Sequence, residues 1–155
     1  MNPQNQLPGN ELTVRVTQLN ASVPLPQYQS AGAAGADVHA CIAEPVSLPP
    51  GERILVPTGL SMEIPEGYEI QVRSRSGLAI KNGIFVVNSP GTIDSDYRGE
   101  IKIILGNIGT ETIIIKPFDR IAQLILCPVF RASWEPANEL SSSERAHGGF
   151  GSTGH

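Results

Sequence analysis

Only 5% of the 155 residues are aromatic and only two are cysteine. An aromatic outside a core pattern therefore stands out, and a disulfide scaffold has too few members to form. Cys41 and Cys127 are far apart in the chain, with no CxxC pair and no nearby histidine at ligand spacing. That argues against a zinc site and leaves two free thiols, which fits a reducing compartment. Charge of one sign never accumulates: the formal net charge is -4 and like charges rarely adjoin, so the footprint of a nucleic-acid binder is missing. No segment approaches the roughly 18 apolar residues of a membrane span, and the opening "MNPQNQLPGNEL" is neither basic nor apolar. These absences predict a soluble cytoplasmic protein that binds neither nucleic acid nor membrane. GxxxxGK[ST], GxSxG and HExxH are absent too, which removes the P-loop, nucleophile-elbow and zincin motifs. His39, His147 and His155 lie in a strand pattern, a polar tail and the last position, and none reads as a catalyst.

What is present is turn chemistry. Thirteen prolines and 16 glycines accompany a hydrophobic share of 40%, so the chain has a core to bury and many turns to make around it. Leu12, Val14 and Val16 alternate with polar residues, as do Tyr68, Ile70 and Val72, which predicts strands with one buried face. "IFVV" (84–87), "IKIIL" (101–105), "TIII" (112–115) and "IAQLIL" (121–126) are continuous β-branched runs that suit strands buried on both faces. Turns such as "VPTGL", "IPEGY", "SPGT" and "KPFDR" recur every eight to twelve residues, and the pattern reads as an all-β sandwich or barrel. "SGLAIKNG" (76–83) is the one stretch suited to helix, closed by Asn82-Gly83. From about residue 137 the apolar pattern stops, predicting a body over 1–136 and a flexible arm over 137–155.

Four stretches carry polar groups of chemical interest. In "QVRSRSGLA" a strand runs into Arg73, Arg75, Ser76 and Gly77. The two arginines alternate with serine and are expected to point to opposite sides, and the N–H groups opening a helical turn add donors, so the stretch suits a phosphate. A solvated strand end with an N-capping serine is the alternative. In "NSPGTIDSDYRGE" (88–100) a proline-glycine turn precedes Asp94, Asp96 and Tyr97. Asp94 follows the apolar Ile93 and needs a partner or a task, whereas Asp96 reads as the solvated acid; an acidic hairpin tip is the alternative. "AGAAGADVHA" (31–40) places small residues before Asp37, allowing close approach of backbone or ligand and a carboxylate for a cation, or simply a tight turn. In "DRIAQLIL" Arg120 and Gln123 sit at the mouth of an apolar strand, where Gln123 must find a hydrogen-bond partner.

Taken in order, "AGAAGADVHA", "RSRSGLA", "GTIDSDYRGEI", "DRIAQLIL" and "ERAHGGFGSTG" resemble the five motifs of the trimeric deoxyuridine triphosphatase (dUTPase) family, over residues 31–154. The resemblance implies an all-β, jelly-roll-like barrel that forms a homotrimer with three shared active sites, each closed by a C-terminal arm. It implies magnesium-dependent hydrolysis of dUTP to dUMP and pyrophosphate by water attack on the α-phosphate, which keeps uracil out of DNA and supplies dUMP for thymidylate synthesis. Asp94 is then the catalytic carboxylate that orients and deprotonates water. Arg75, Ser76, Gly77 and Gln123 match the phosphate contacts. The turn from Phe85 to Gly91, with Asn88, faces the uracil edge, while Thr92, Ile93 and Lys102 line the nucleoside side and Tyr97 excludes a 2'-hydroxyl. Asp37 resembles the carboxylate that holds Mg²⁺ through water. Arg145, Phe150, Gly151, Ser152 and Thr153 match the arm that closes on phosphate and base. One departure falls in that arm, where Ala146 and His147 follow Arg145 although the family usually has glycine directly after the arginine; alanine tolerates a narrower backbone range.

The arm's composition fits a lid. Ordering Gly148 to Gly154 costs on the order of 7 to 14 kcal/mol, and burying Phe150 returns only about 1.5 to 3 kcal/mol. The tail is therefore expected to close only when a ligand supplies several charge-assisted hydrogen bonds. Two rivals remain at this level. A deoxycytidine triphosphate deaminase shares the fold but uses a glutamate beside the base, where this chain has "GTIDSDYRGE" and the arm. A nonenzymatic jelly-roll that binds nucleotide is opposed by the presence of Asp94, Gln123 and the arm together.

Overall fold

The computed structural model describes residues 12–149. Twelve strands and one short helix follow in the order β1 (Arg15–Gln18), β2 (Gln27–Tyr28), β3 (Ala36–His39), β4 (Val46–Leu48), β5 (Arg53–Pro57), β6 (Leu60–Glu63), β7 (Tyr68–Arg73), α1 (Ser76–Asn82), β8 (Ile84–Val86), β9 (Gly91–Ile93), β10 (Lys102–Asn107), β11 (Ile113–Ile115) and β12 (Arg120–Pro128). The predicted apolar runs and the helix all fall within or beside these elements. Leu12 and Val14 precede β1, though Val14 still packs on the core.

The strands pair antiparallel in four sheets, β1-β6, β5-β10-β8, β11-β4 and β2-β3-β12-β7-β9. Sheets of a jelly-roll kind thus enclose the core, but among the described residues strand pairing does not close them into a continuous barrel. One apolar cluster joins the sheets, including Val38, Leu60, Ile70, Ile84, Ile103, Leu105, Ile121 and Leu124. Burying such side chains contributes about 1.5 to 3 kcal/mol each. Inside it, Asn107 donates to the Leu48 and Glu111 carbonyls at 2.9 and 2.8 Å and accepts from the Gly109 N–H at 2.8 Å. Its amide is thereby satisfied at 1% exposure.

The expectation that the continuous runs are buried on both faces is not met in a single chain. Within those runs Val87 is 41% exposed and Ile114 45%; Leu55, outside them on β5, is 58% exposed. Leu55 pairs with Ile104 across β5 and β10, and the Val87 N–H donates to the Ile104 carbonyl at 2.9 Å. An apolar row therefore lies on the outer face of the three-stranded sheet, and a continuous run cannot reveal which face a single chain leaves open.

Candidate active site

The five-stranded sheet builds one polar cluster at the end of β7. Gln123 of β12 is opposite Asp37 of β3 on one side and Arg73 of β7 on the other. The chain then leaves β7 through Ser74 and Arg75 into α1. The Arg75 Nε forms an ion pair with one oxygen of Asp37 at 3.2 Å, and the Arg120 guanidinium donates to the other at 3.1 Å. Arg75 also reaches the Arg120 carbonyl at 2.9 Å. Gln123 donates to the Ser74 carbonyl at 2.9 Å, and the Ser74 hydroxyl accepts the Val86 N–H at 2.8 Å. Arg73 is turned elsewhere and donates to Gln71; in a continuous strand Arg73 and Arg75 would share a face, and they part because β7 ends at Arg73 and Arg75 already caps α1.

Two sequence features make this cluster possible. Gly35 lies against Gln123, and a Cβ there would collide with the Gln123 amide oxygen and lie 3.1 Å from its Cδ. Gly35 is thus what lets Gln123 pack this closely, whereas a Cβ on Gly32 would meet nothing. Arg75 also occupies the N-cap position of α1 with no side-chain cap, and Ser76 is the first helical residue. The N-capping serine therefore does not form, and the first-turn N–H groups have no side-chain acceptor. At the other end Gly83 takes φ 69° and closes the helix.

The Asp94 hairpin is attached to the same sheet through β9, where Gly91 is opposite Val72 and Ile93 opposite Ile70. Gly91 and Ile93 point inward and Thr92 outward. Asn88 stands over Gly91, whose Cβ would lie 3.2 Å from the Asn88 amide nitrogen. Asp94 is exposed, as is Asp96; solvent reaches both acids, contrary to the distinction expected between them. Among the described residues the Asp94 carboxylate makes no ion pair or hydrogen bond. Tyr97 is 46% exposed and is held by its hydroxyl, which donates to the Glu100 carbonyl at 3.0 Å. Its ring lies so close to Gly99 that a Cβ there would collide. Glu100 anchors the hairpin by accepting the Gly59 N–H at 2.9 Å and lies 3.7 Å from the ammonium of Lys102.

In the arm, Arg145 donates to the Gly148 carbonyl at 2.9 Å and Ala146 sits at φ 42°. Alanine therefore occupies a left-handed conformation at the position where the sequence departs from the family pattern, at a cost of roughly 1 to 2 kcal/mol. Phe150, Gly151, Ser152 and Thr153 lie outside the described residues. The structure thus gathers Arg75, Ser76, Gly77 and Gln123 at one sheet end, and Asn88, Gly91, Thr92, Ile93, Asp94, Tyr97 and Lys102 on or beside the hairpin. No hydrogen bond or ion pair among the described residues joins the two groups. Ser74 and Glu100 had no distinguishing sequence signal beyond lying inside suspected motifs.

Burial pushes His39 below the ordinary histidine range; the Asp37 carboxylate opposes this, and Arg120 and Arg75 add to it. Its Nδ1 is buried without a partner. Asp37 is poorly suited to hold a metal, since both oxygens are already paired with guanidiniums and its side chain is only 10% exposed. No cluster of three or more His, Cys, Asp or Glu suited to a metal occurs among the described residues. These residues therefore do not fit a directly coordinated magnesium, and a water-mediated one on Asp37 would compete with two cations.

A sheet end that presents guanidinium and backbone donors, with a solvent-facing carboxylate on a hairpin of the same sheet, carries the groups a phosphate-processing hydrolase of all-β architecture needs. Residues 21–154 match the family model described as dUTPase. The chain is 59% identical over 145 residues to a deoxyuridine 5'-triphosphate nucleotidohydrolase of Bdellovibrio bacteriovorus, covering 93% of this chain and 97% of that one. Among solved structures it resembles a mutant Staphylococcus bacteriophage 80alpha dUTPase with dUpNHpp, at TM-score 0.79 and 28% identity, covering 92% and 99% of the two chains. It also resembles a mutant dUTPase from phage phi11 of S. aureus, described with a structural Mg(II) ion, at TM-score 0.75 and 25% identity, covering 84% and 100%. The chain belongs to the dUTPase family.

Proposed function

We propose that the protein hydrolyses dUTP, taken up as its magnesium complex, to dUMP and pyrophosphate in sites shared by three copies of the chain. The observation that carries this reading is the Asp94 carboxylate, exposed on its hairpin and unpaired among the described residues, in a chain that matches the dUTPase family. A carboxylate free of internal partners is available to a water. Asp94 orients that water and accepts its proton as the oxygen attacks the α-phosphorus. The new P–O bond forms, the bond from the α-phosphorus to the bridging oxygen breaks, and pyrophosphate leaves with that electron pair. Arg75, Ser76, Gly77 and Gln123 bind the phosphates. Magnesium bound with the substrate would offset part of the phosphate charge, while the donors on the protein side are those of Arg75, Ser76, Gly77 and Gln123.

Asn88, Gly91, Thr92, Ile93 and Lys102 surround the nucleoside. Their close backbone excludes the 5-methyl of thymine, and Tyr97 lies against the sugar where a 2'-hydroxyl would clash. The arm over 137–155 closes the site of a neighbour, with Arg145, Ser152 and Thr153 on phosphate and Phe150 over uracil. Two features support sharing. The phosphate cluster and the hairpin are held separately within one chain, and the apolar row at Leu55, Ile104 and Val87 offers a surface that association would cover. The reading places the enzyme in the cytoplasm, removing dUTP before uracil enters DNA and supplying dUMP for thymidylate synthesis. No helix among the described residues is long and apolar enough to cross a membrane.

Pyrophosphate release measured with dUTP, dTTP, dCTP and UTP, each with Mg²⁺, tests the activity. Release from dUTP alone is expected. Ammonia from dCTP would assign a deaminase, and no reaction with any of the four would leave a binding module.

A further inference from the structure

Asp37 has a task that needs no metal. Its carboxylate sits between two guanidiniums, Arg75 at 3.2 Å and Arg120 at 3.1 Å, each on its own oxygen. Arg75 is fixed a second time by the Arg120 carbonyl at 2.9 Å. Three neighbouring segments are tied in this way: β3 supplies the carboxylate, β12 the second guanidinium and the carbonyl, and the turn after β7 supplies Arg75. The geometry points to a fixed guanidinium clamp in which Asp37 is a positioning residue for Arg75, and Arg120 is the second cation presented to the substrate's phosphates.

Charge and donor counts both favour this arrangement. Two cations share one carboxylate, so the cluster retains one net positive charge with the acid in place. A guanidinium has five N–H donors; Arg75 commits one to the Arg120 carbonyl and is held beside Asp37 by the ion pair at its Nε. The remaining donors of Arg75 have a direction set by two anchors before any ligand arrives. Side-chain exposure grades outward, from 10% at Asp37 through 24% at Arg75 to 44% at Arg120. The carboxylate is therefore the inner member and the guanidiniums the outer ones, the order required for an anion to meet cations first. Without the carboxylate the two guanidiniums repel each other and Arg75 regains rotamer freedom, so phosphate binding must again order it.

The inference rests on the dUTP reading for its ligand and predicts a result that does not depend on metal. Binding of dUpNHpp is measured by titration calorimetry in EDTA and again with Mg²⁺ for the wild type, Asp37→Asn, Arg120→Gln and the double variant. Arg120→Gln is expected to weaken binding in EDTA by roughly 10- to 100-fold, the loss of one charge-assisted contact, and Asp37→Asn by up to roughly 10-fold, because the cost of ordering the freed guanidiniums outweighs the positive charge gained; each factor should be similar with Mg²⁺. The double variant is expected to lose less than the product of the two single losses, because the two act through one cluster. Unchanged or tighter binding by Asp37→Asn in EDTA, with weakening only when Mg²⁺ is present, would make Asp37 a metal-side carboxylate and overturn the clamp. If Asp37→Asn does not fold, Arg120→Gln decides alone, and an unchanged affinity in EDTA overturns the inference. Pyrophosphate release from dUTP by the wild type tests the underlying function separately.

Discussion

Arg75 and Asp94 both stand just beyond strands of the same five-stranded sheet, and they are held in opposite ways. Arg75 follows β7 and is bonded to Asp37 and to the Arg120 carbonyl, within a cluster that Gly35 allows to pack closely. Asp94 follows β9, is exposed, and has no side-chain partner among the described residues; its hairpin is secured through Tyr97 and Glu100. On the proposed function, the difference separates binding from chemistry. A phosphate subsite gains from donors fixed in advance, because ordering them on binding costs affinity. A general base must keep its lone pairs for water, so internal partners would disable it. The surroundings that exclude solvent from Asp94 therefore have to come from another copy, from the arm, or from the substrate.

Removing the base should break the contrast most sharply. Asp94→Asn is expected to lower kcat by about 10²- to 10⁴-fold while calorimetric binding of dUpNHpp stays near the wild-type value; a matching loss of affinity would show that Asp94 binds rather than reacts. Deleting residues 145–155 should reduce turnover by on the order of 100-fold, as expected when a set of phosphate donors is lost, with circular dichroism and sedimentation unchanged. An unaltered rate would remove the lid. On the rigid side, Gly35→Ala should destabilise the fold by about 1 to 3 kcal/mol through overpacking. Its rise in KM should exceed its fall in kcat, because Gln123 must give up its place beside Ser74. Equal stability in a urea titration would show that Gln123 moves away without cost.

Acid should also distinguish the two regions. His39, beside the rigid cluster, has its pKa lowered on folding by burial. The unfolded chain then binds a proton first as pH falls, so stability is complete above the ordinary histidine range near about 6.5 and is lost as pH drops from there through the lower folded value. The melting temperature should decline over that window, and His39→Gln should flatten the decline; an unchanged slope would remove His39 as the cause. The smallest effect is expected in the arm. Ala146→Gly relieves a φ of 42° and should favour that turn by about 1 kcal/mol, read as a modest change in KM for dUTP with no change in melting temperature.

Much of the strand order was legible because the runs at 84–87, 101–105, 112–115 and 121–126 are β-branched and are separated by proline and glycine turns. Their environment was not. Val87 and Ile114 face outward, and the same run serves equally for a strand inside one chain and one covered by a neighbour. The site divides along the same line. Asp94, Arg75 and Gln123 stood out as polar residues against apolar strands, and their motif order indicated the family. The engagement of Asp37 with Arg75 and Arg120 joins residues 38 and 83 positions away in sequence, which only the registers of β3, β12 and β7 bring together. Ala146 shows the converse. A departure visible at one residue fell on a position whose backbone is left-handed, so local sequence was enough to find it.

The central claim is that the fixed cluster of one chain works with the hairpin of another, and mixing two inactive chains tests it most directly. Asp94→Asn and Arg75→Ala chains are prepared separately, shown to be inactive in pyrophosphate release, then unfolded together and reassembled at equal concentration. Random assortment restores a complete site wherever an intact hairpin meets an intact cluster, so the mixture should recover about a quarter of the wild-type rate. A mixture as inactive as its two components would place Asp94 and Arg75 in the same site from the same chain, contradicting the account.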